Sequence, residues 1–121
     1  MKSDRAAVIC LKKIINYCDD IDFICRKYSF DRNKFDEEID FRYSCSMCII
    51  QIGELVSRLD DSFTELHPGI PWRKIKGMRN IFAHNYDIVS NDILWGTVTK
   101  DIPGLKKDIA SILQDCVPKA E

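Results

Sequence analysis

Residues 4–28 read DRAAVICLKKIINYCDDIDFICRKY, and apolar side chains recur along this stretch at steps of three and four. That spacing places them on one side of an α-helix, so the stretch predicts a long amphipathic helix ending near Tyr28. The residues that form this side are Ile9, Cys10, Ile14, Tyr17, Cys18, Ile21, Ile24, Cys25 and Tyr28.

The same periodicity predicts helices in the rest of the chain. A second helix is expected from about residues 31–34 to Leu59, with Gly53 marking close packing against a neighbour. A short helical piece at 63–66 precedes the break at His67-Pro-Gly-Ile-Pro71, and a third helix then runs from Trp72 to His84. A fourth is capped by Ser90 or Asn91, and a fifth begins near Asp101-Ile-Pro103. The predicted fold is an all-α, up-and-down bundle of four or five helices.

Length and charge narrow the possible functions. The chain has 121 residues and a mass of 14.0 kDa, with 18 Lys and Arg against 19 Asp and Glu. We expect one domain over residues 1–121, and the near-neutral charge excludes a polycation held on nucleic acid by bulk electrostatics. Neither a secretory signal nor an apolar run of about 20 residues is evident, so we expect a cytoplasmic protein without a membrane contact.

Six cysteines raise the question of metal or redox chemistry. Cys10, Cys18 and Cys25 have the spacing of one helix side, which favours burial as small apolar side chains. Cys45 and Cys48 form a lone C-x-x-C pair, whereas a zinc site needs about four ligands. We therefore expect a core role for the cysteines, no metal site and no cofactor.

Residues 72–86, WRKIKGMRNIFAHNY, hold the residues suited to chemistry. Histidine exchanges a proton near neutral pH, and arginine offers a planar fork of donors to phosphate oxygens, so Arg79 and His84 suit phosphodiester cleavage without metal. On an ideal helix they lie about 140° apart, and they converge only if the helix end unwinds or a second copy supplies the other wall. Taken singly, each residue is better explained by a structural role: Arg79 by a solvated helix side, His84 by a helix cap and Tyr86 by the core.

The order of motifs resembles the HepT-like family of HEPN-superfamily ribonuclease toxins. Residues 79–86 are similar to its R-x4-H-x-Y motif, and the likeness extends over about residues 45–113. The flanking similarities are Ile52-Gly-Glu54, Pro71-Trp72, Gly77-Met-Arg-Asn80, Ile93-Leu-Trp95 and Asp101-Ile-Pro-Gly-Leu105.

This resemblance implies a HEPN-like homodimer whose two motifs face each other across a cleft. It implies metal-independent cleavage of RNA by 2′-hydroxyl attack, with His84 as acid/base, Arg79 as phosphate ligand and Asn80 in a supporting role. Its partner would be a minimal nucleotidyltransferase antitoxin that silences it by adding AMP to Tyr86. Arg73, Lys74 and Lys76 are the candidate RNA-phosphate contacts.

Two other interpretations remain open. One is a non-catalytic helical dimer that binds or regulates the nucleotidyltransferase, with Arg79 and His84 holding a nucleotide. The other is a structural dimer with no site, which the combination of Arg79, His84 and Tyr86 disfavours.

Overall fold

A computed structural model describes residues 2–116 of the chain and the side chains of residues 5–115. This part of the chain forms helices and turns without a β-strand, which confirms the predicted all-α class. A 3₁₀ turn lies at Tyr86–Ile88 and a π-helical segment at Thr97–Asp101. The α-helices are α1 (Lys2–Lys27), α2 (Arg32–Glu37), α3 (Ile39–Ser57), α4 (Asp61–Glu65), α5 (Trp72–His84), α6 (Asn91–Gly96) and α7 (Ile102–Cys116).

The long helices pack as an antiparallel bundle. Near one end of α1, the Tyr28 hydroxyl donates to Asp40 at the start of α3 (2.5 Å), and at the other end the Cys10 thiol donates to the carbonyl of Leu55 (3.0 Å). Helix α7 lies against α1, where Lys106 and Asp19 form an ion pair at 2.5 Å. The two contacts between α1 and α3 show that these helices run antiparallel.

The five cysteines whose side chains the structure describes belong to the core, as predicted, and the side chain of Cys116 lies outside the described residues. Cys10, Cys18, Cys25, Cys45 and Cys48 are buried and unpaired. Burial raises the pKa of Cys18 to about 12 and that of Cys48 to about 11, so both thiols stay protonated near neutral pH. Among the described residues, no group of three or more His, Cys, Asp or Glu side chains is arranged to hold a metal ion.

The predicted second helix is interrupted at Glu38, whose backbone is extended (φ −96°, ψ 104°). Asp31 caps the short α2 by accepting from the backbone N–H groups of Asn33 and Lys34. The guanidinium of Arg42 donates to the carbonyls of Phe35 and Asp36, both at 2.7 Å, and so satisfies the free end of α2. The break turns Phe35 into the core, edge-on to the ring of Phe41.

The predicted fourth and fifth helices are continuous rather than separate. Ser90 caps α6 by accepting from the N–H of Ile93 (3.1 Å), as expected. The helix then passes through the π-helical segment directly into α7, where the N–H of Ile102 donates to the carbonyl of Thr97. Proline breaks a regular helix because it lacks an N–H, and here the wider turn immediately before Pro103 absorbs that loss.

Membrane insertion is not indicated by the helices: within residues 2–116, none combines the length and apolar character that a bilayer-spanning segment requires.

Candidate active site on helix α5

Helix α5 carries most of the predicted site residues, and its bounds are those expected from the sequence. Trp72, Ile75 and Phe82 are buried and anchor it to the bundle. The indole N–H of Trp72 donates to the carbonyl of His67 at 3.0 Å, which fixes the start of the helix after the proline-rich break. These contacts fix the position of α5, and with it the end of the helix at His84.

Helix α3 lies close against α5 at Gly53. A Cβ atom at this position would overlap the Cβ of Arg79 and would lie 3.2 Å from the carbonyl oxygen of Ile75. The predicted close packing at Gly53 is confirmed, and its neighbour is the arginine of the candidate site. The base of the Arg79 side chain is thus held against the backbone of α3.

The guanidinium of Arg79 is also held in place, by hydrogen bonds to two side chains. Its Nε donates to Glu54 Oε1 in a close ion pair, and its Nη1 donates to Asn80 Oδ1 at 2.6 Å. Because a guanidinium has five N–H donors, three remain for a ligand. The side chain is about one-third exposed, so these donors reach the surface.

Glu54 was not among the residues predicted for the site. The sequence holds a signal for it, because Glu54 follows the close-packing Gly53 in the stretch that resembles the family. Its partner lies 25 residues further along the chain, however, and helical periodicity does not report such a pairing.

His84 lies apart from Arg79. It is the last residue of α5 and is exposed, and the hydrogen bonds of Arg79 run to Glu54 and Asn80 instead. The helix stays regular through His84, so the two side chains leave α5 about 140° apart, as an ideal helix requires. One copy of the chain does not bring them to a common point by unwinding.

Three of the predicted basic and polar residues lie on the same side of α5 as His84. At about 100° per residue, Arg73, Lys76, Asn80 and His84 fall within a sector of about 80°, which we term the outer edge of α5. Lys74 points away from this sector, and its ammonium lies 4.0 Å from the carboxylate of Asp101 in the π-helical segment. The structure therefore separates Lys74 from the other two candidate RNA contacts.

Tyr86 lies in the 3₁₀ turn after α5 and is half-buried. Its hydroxyl is 3.1 Å from the hydroxyl of Ser46 on α3, and its ring meets Tyr43 and Phe82 edge-on at centroid distances of 5.5 and 6.2 Å. Tyr28 lies elsewhere, just after α1, where its hydrogen bond to Asp40 raises its pKa to about 12.

A row of side chains on α3 leads from Tyr86 towards Arg79. Tyr43, Met47, Ile50 and Glu54 follow each other at steps of four, three and four, and we call them the α3 stripe. Tyr43 and Met47 are more than half exposed although both are large and apolar. With Ser46 and Tyr86, the apolar part of the stripe lines a shallow depression of about 230 Å³.

Comparison with known proteins adds three findings. Residues 14–112 match the family described as "Ribonuclease HepT-like". The "Probable ribonuclease HepT" of Thermococcus cleftensis is 34% identical over 96 residues, covering 79% of this chain and 86% of that protein. The "Putative RNase MJ0125" of Methanocaldococcus jannaschii is 31% identical over 109 residues, covering 90% of this chain and 92% of that protein.

A further relative is similar over a shorter stretch. The "Putative RNase TTE0752" of Caldanaerobacter subterraneus subsp. tengcongensis is 44% identical over 63 residues, which is 52% of this chain and 56% of that protein. The matched part thus spans little more than half the length of this relative. No solved structure matches the chain.

Proposed function

Because the chain belongs to the HepT-like ribonuclease family, we propose that it is a metal-independent endoribonuclease, acting in the cytoplasm as the toxin of a toxin–antitoxin pair. The observation that carries this proposal is the way in which the Arg79 guanidinium is held. Its guanidinium is held by Glu54 and Asn80, keeps three N–H donors for a phosphate, and lies on the helix that ends at the exposed His84.

The proposed reaction is a transesterification. His84 takes the proton of the RNA 2′-hydroxyl, and the oxygen attacks the adjacent phosphorus. The 2′-O–P bond forms, the P–O5′ bond breaks, and the departing 5′ oxygen takes up a proton from water, while His84 returns the proton that it took to the solvent. The products are a cyclic phosphate and a 5′-hydroxyl end. Arg79 stabilises the negative charge that develops on the phosphoryl oxygens, and Asn80 keeps Arg79 in place.

We propose that the active form is a homodimer. Arg79 and His84 of one copy face different directions, so a site containing both types of residue needs a second copy. The exposed Tyr43 and Met47 of the α3 stripe provide an apolar surface along the row of side chains that leads from Tyr86 towards Arg79. Pairing of two stripes would bring the outer edge of one α5 towards Arg79 of the partner subunit.

Binding of the RNA strand is assigned to the outer edge of α5. Arg73 is exposed and Lys76 is half-buried on the same side as His84, so both can contact phosphates that flank the cut. Lys74 is retained as a weaker candidate because its ammonium lies near Asp101.

Tyr86 is the proposed control point. A minimal nucleotidyltransferase antitoxin would transfer AMP from ATP to the tyrosine oxygen, releasing pyrophosphate. The added phosphate and nucleoside would occupy the cleft and pair with its basic residues in place of RNA. Proximity of Tyr86 to the α3 stripe and to His84 supports this position for the modification.

The test is RNA cleavage in EDTA by the wild-type protein, His84→Ala and His67→Ala. The chain has two histidines, so His67→Ala is the matched control. We expect cleavage by the wild type and the control, and a loss of about 10²–10⁴-fold for His84→Ala. RNA binding without cleavage in the wild type would instead support the non-catalytic binding module.

A further inference from the structure

An arginine that stabilises a transition state must be oriented before the reaction begins. A free arginine side chain has about 2 kcal/mol of rotamer entropy, and ordering it at the moment of reaction would weaken its effect. Residues that hold the guanidinium in advance are therefore as relevant to the rate as the guanidinium itself.

In this chain the Arg79 side chain is held at both ends. Its base is pressed against Gly53, where a larger residue would collide with it. At its tip, Nε donates to Glu54 and Nη1 donates to Asn80. Nη2 makes no hydrogen bond to another described side chain, so its two N–H groups and the remaining N–H of Nη1 are free to donate to phosphate oxygens.

The charge of Glu54 has two opposite effects on the Arg79 guanidinium. A charge-assisted bond to Nε orients the guanidinium more firmly than a neutral acceptor does. The same carboxylate offsets part of the positive charge that attracts RNA. An acid at this position therefore does not increase the affinity for RNA.

We propose that Glu54 is a positioning residue for RNA cleavage, fixing Arg79 so that its free N–H groups face the phosphate at the cut site. This inference rests on the proposed function. It predicts that removing the charge of Glu54 lowers the rate of cleavage without weakening the binding of RNA.

The test compares Glu54→Gln with Glu65→Gln, which removes an equal charge from α4. Cleavage is measured under single-turnover conditions, and binding is measured with a 2′-O-methyl copy of the RNA that the wild type cuts. We expect Glu54→Gln to lose about 10²-fold in rate with an unchanged or tighter Kd, because misplacement of a reacting group by about 1 Å can cost that much. Glu65→Gln should behave as the wild type.

A second readout does not depend on cleavage. In ¹⁵N-labelled protein, the Nε–H signal of Arg79, assigned through its absence in Arg79→Lys, should be protected from exchange in the wild type. It should lose protection in Glu54→Ala, whereas Glu54→Gln, which keeps a neutral acceptor, should show an intermediate effect if the fold is intact by circular dichroism. A signal in Glu54→Ala as well protected as in the wild type would overturn the contact.

The outcomes separate the two proposals. Equal cleavage rates in the wild type and Glu54→Gln would overturn the role of Glu54 and leave the ribonuclease proposal intact. A parallel loss of RNA affinity and rate would also overturn it, because that pattern indicates a binding or structural role. A wild type that cuts no RNA would overturn the ribonuclease proposal, and with it any role of Glu54 in cleavage.

Discussion

The contact between α3 and α5 is held at its two ends by different chemistry. At one end, Gly53 brings the backbones close together and Glu54 forms an ion pair with Arg79. At the other end, the hydroxyls of Ser46 and Tyr86 lie 3.1 Å apart, and aromatic rings meet edge-on. Charge-assisted hydrogen bonds are roughly twice as strong as neutral ones, so the Arg79 end is the more firmly fixed.

This difference in strength matches the proposed roles of Arg79 and Tyr86. A phosphate ligand needs a fixed orientation, whereas a residue that another enzyme modifies must be able to leave its packing site. A neutral hydrogen bond contributes only about 1 kcal/mol, so the Tyr86 end can open at low cost. The following predictions test whether the two ends differ in this way.

The largest effect is expected at the charged end. Arg79→Lys keeps the positive charge but loses both the planar fork and the bond from Nε to Glu54. We expect RNA cleavage to fall by about 10²–10³-fold, the usual cost of removing one oriented donor from a transition state. Activity within threefold of wild type would show that the orientation at this end is not needed.

The surface between the two ends is tested by Met47→Asp. If the α3 stripe is buried in a homodimer, a carboxylate there is transferred from water into an apolar interface. We expect the dimer dissociation constant to rise by about 10²-fold, equivalent to about 3 kcal/mol, and cleavage to fall with it at micromolar protein. Analytical ultracentrifugation measures the first effect.

Phe23→Asp is the matched control for that variant, since Phe23 is an exposed apolar residue on α1 and not part of the α3 stripe. Dissociation caused by Phe23→Asp but not by Met47→Asp would place the interface on another side of the bundle.

The neutral end is tested by Tyr86→Phe. This variant removes the hydroxyl and keeps the ring, so we expect it to fold and to lose about 1 kcal/mol of the free energy of unfolding. It should no longer be silenced by the antitoxin and ATP. Mass spectrometry of the wild type after such treatment should find AMP on Tyr86. AMP on Tyr17, Tyr28 or Tyr43 would contradict the assignment.

The smallest effect concerns the two lysines of α5. Lys76→Ala should reduce RNA affinity a few-fold and lower the slope of log Kd against log salt by about 0.7, the value for one lost phosphate contact on a single strand. Lys74→Ala should change both less, because Lys74 lies off the outer edge and near Asp101. Equal effects would place the RNA across both sides of α5.

Much of the fold follows from local patterns, and the exceptions have non-local causes. The spacing of apolar residues in α1 and the proline before Trp72 predict those helices well, because each signal lies within the helix that it describes. The break at Glu38 depends instead on Arg42, which satisfies the carbonyls that the break exposes. The spacing of apolar residues alone predicts a continuous helix through such a position.

The candidate site shows the same division. Arg79, Asn80, His84 and Tyr86 were predicted from residues close together in the chain, together with a family resemblance. Glu54 was missed because its contact with Arg79 forms only when α3 and α5 pack. Lys74 was predicted to contact RNA together with Arg73 and Lys76 because the three are close in sequence. Adjacent residues of a helix point about 100° apart, however, so the three do not share one side of α5.

The π-helical segment keeps the buried side of the helix facing the core although it holds more residues in a turn than an α-helix does. Leu94, Val98 and Ile102 are buried at two successive steps of four, after which Leu105, Ile109 and Ile112 follow at three, four and three. On a regular α-helix, two steps of four would rotate the buried side by about 80°. The wider turn removes this rotation, so Thr97–Asp101 acts as a one-residue insertion without a loop. The chain thus holds more residues in this turn than a regular α-helix would, and its buried side stays in line.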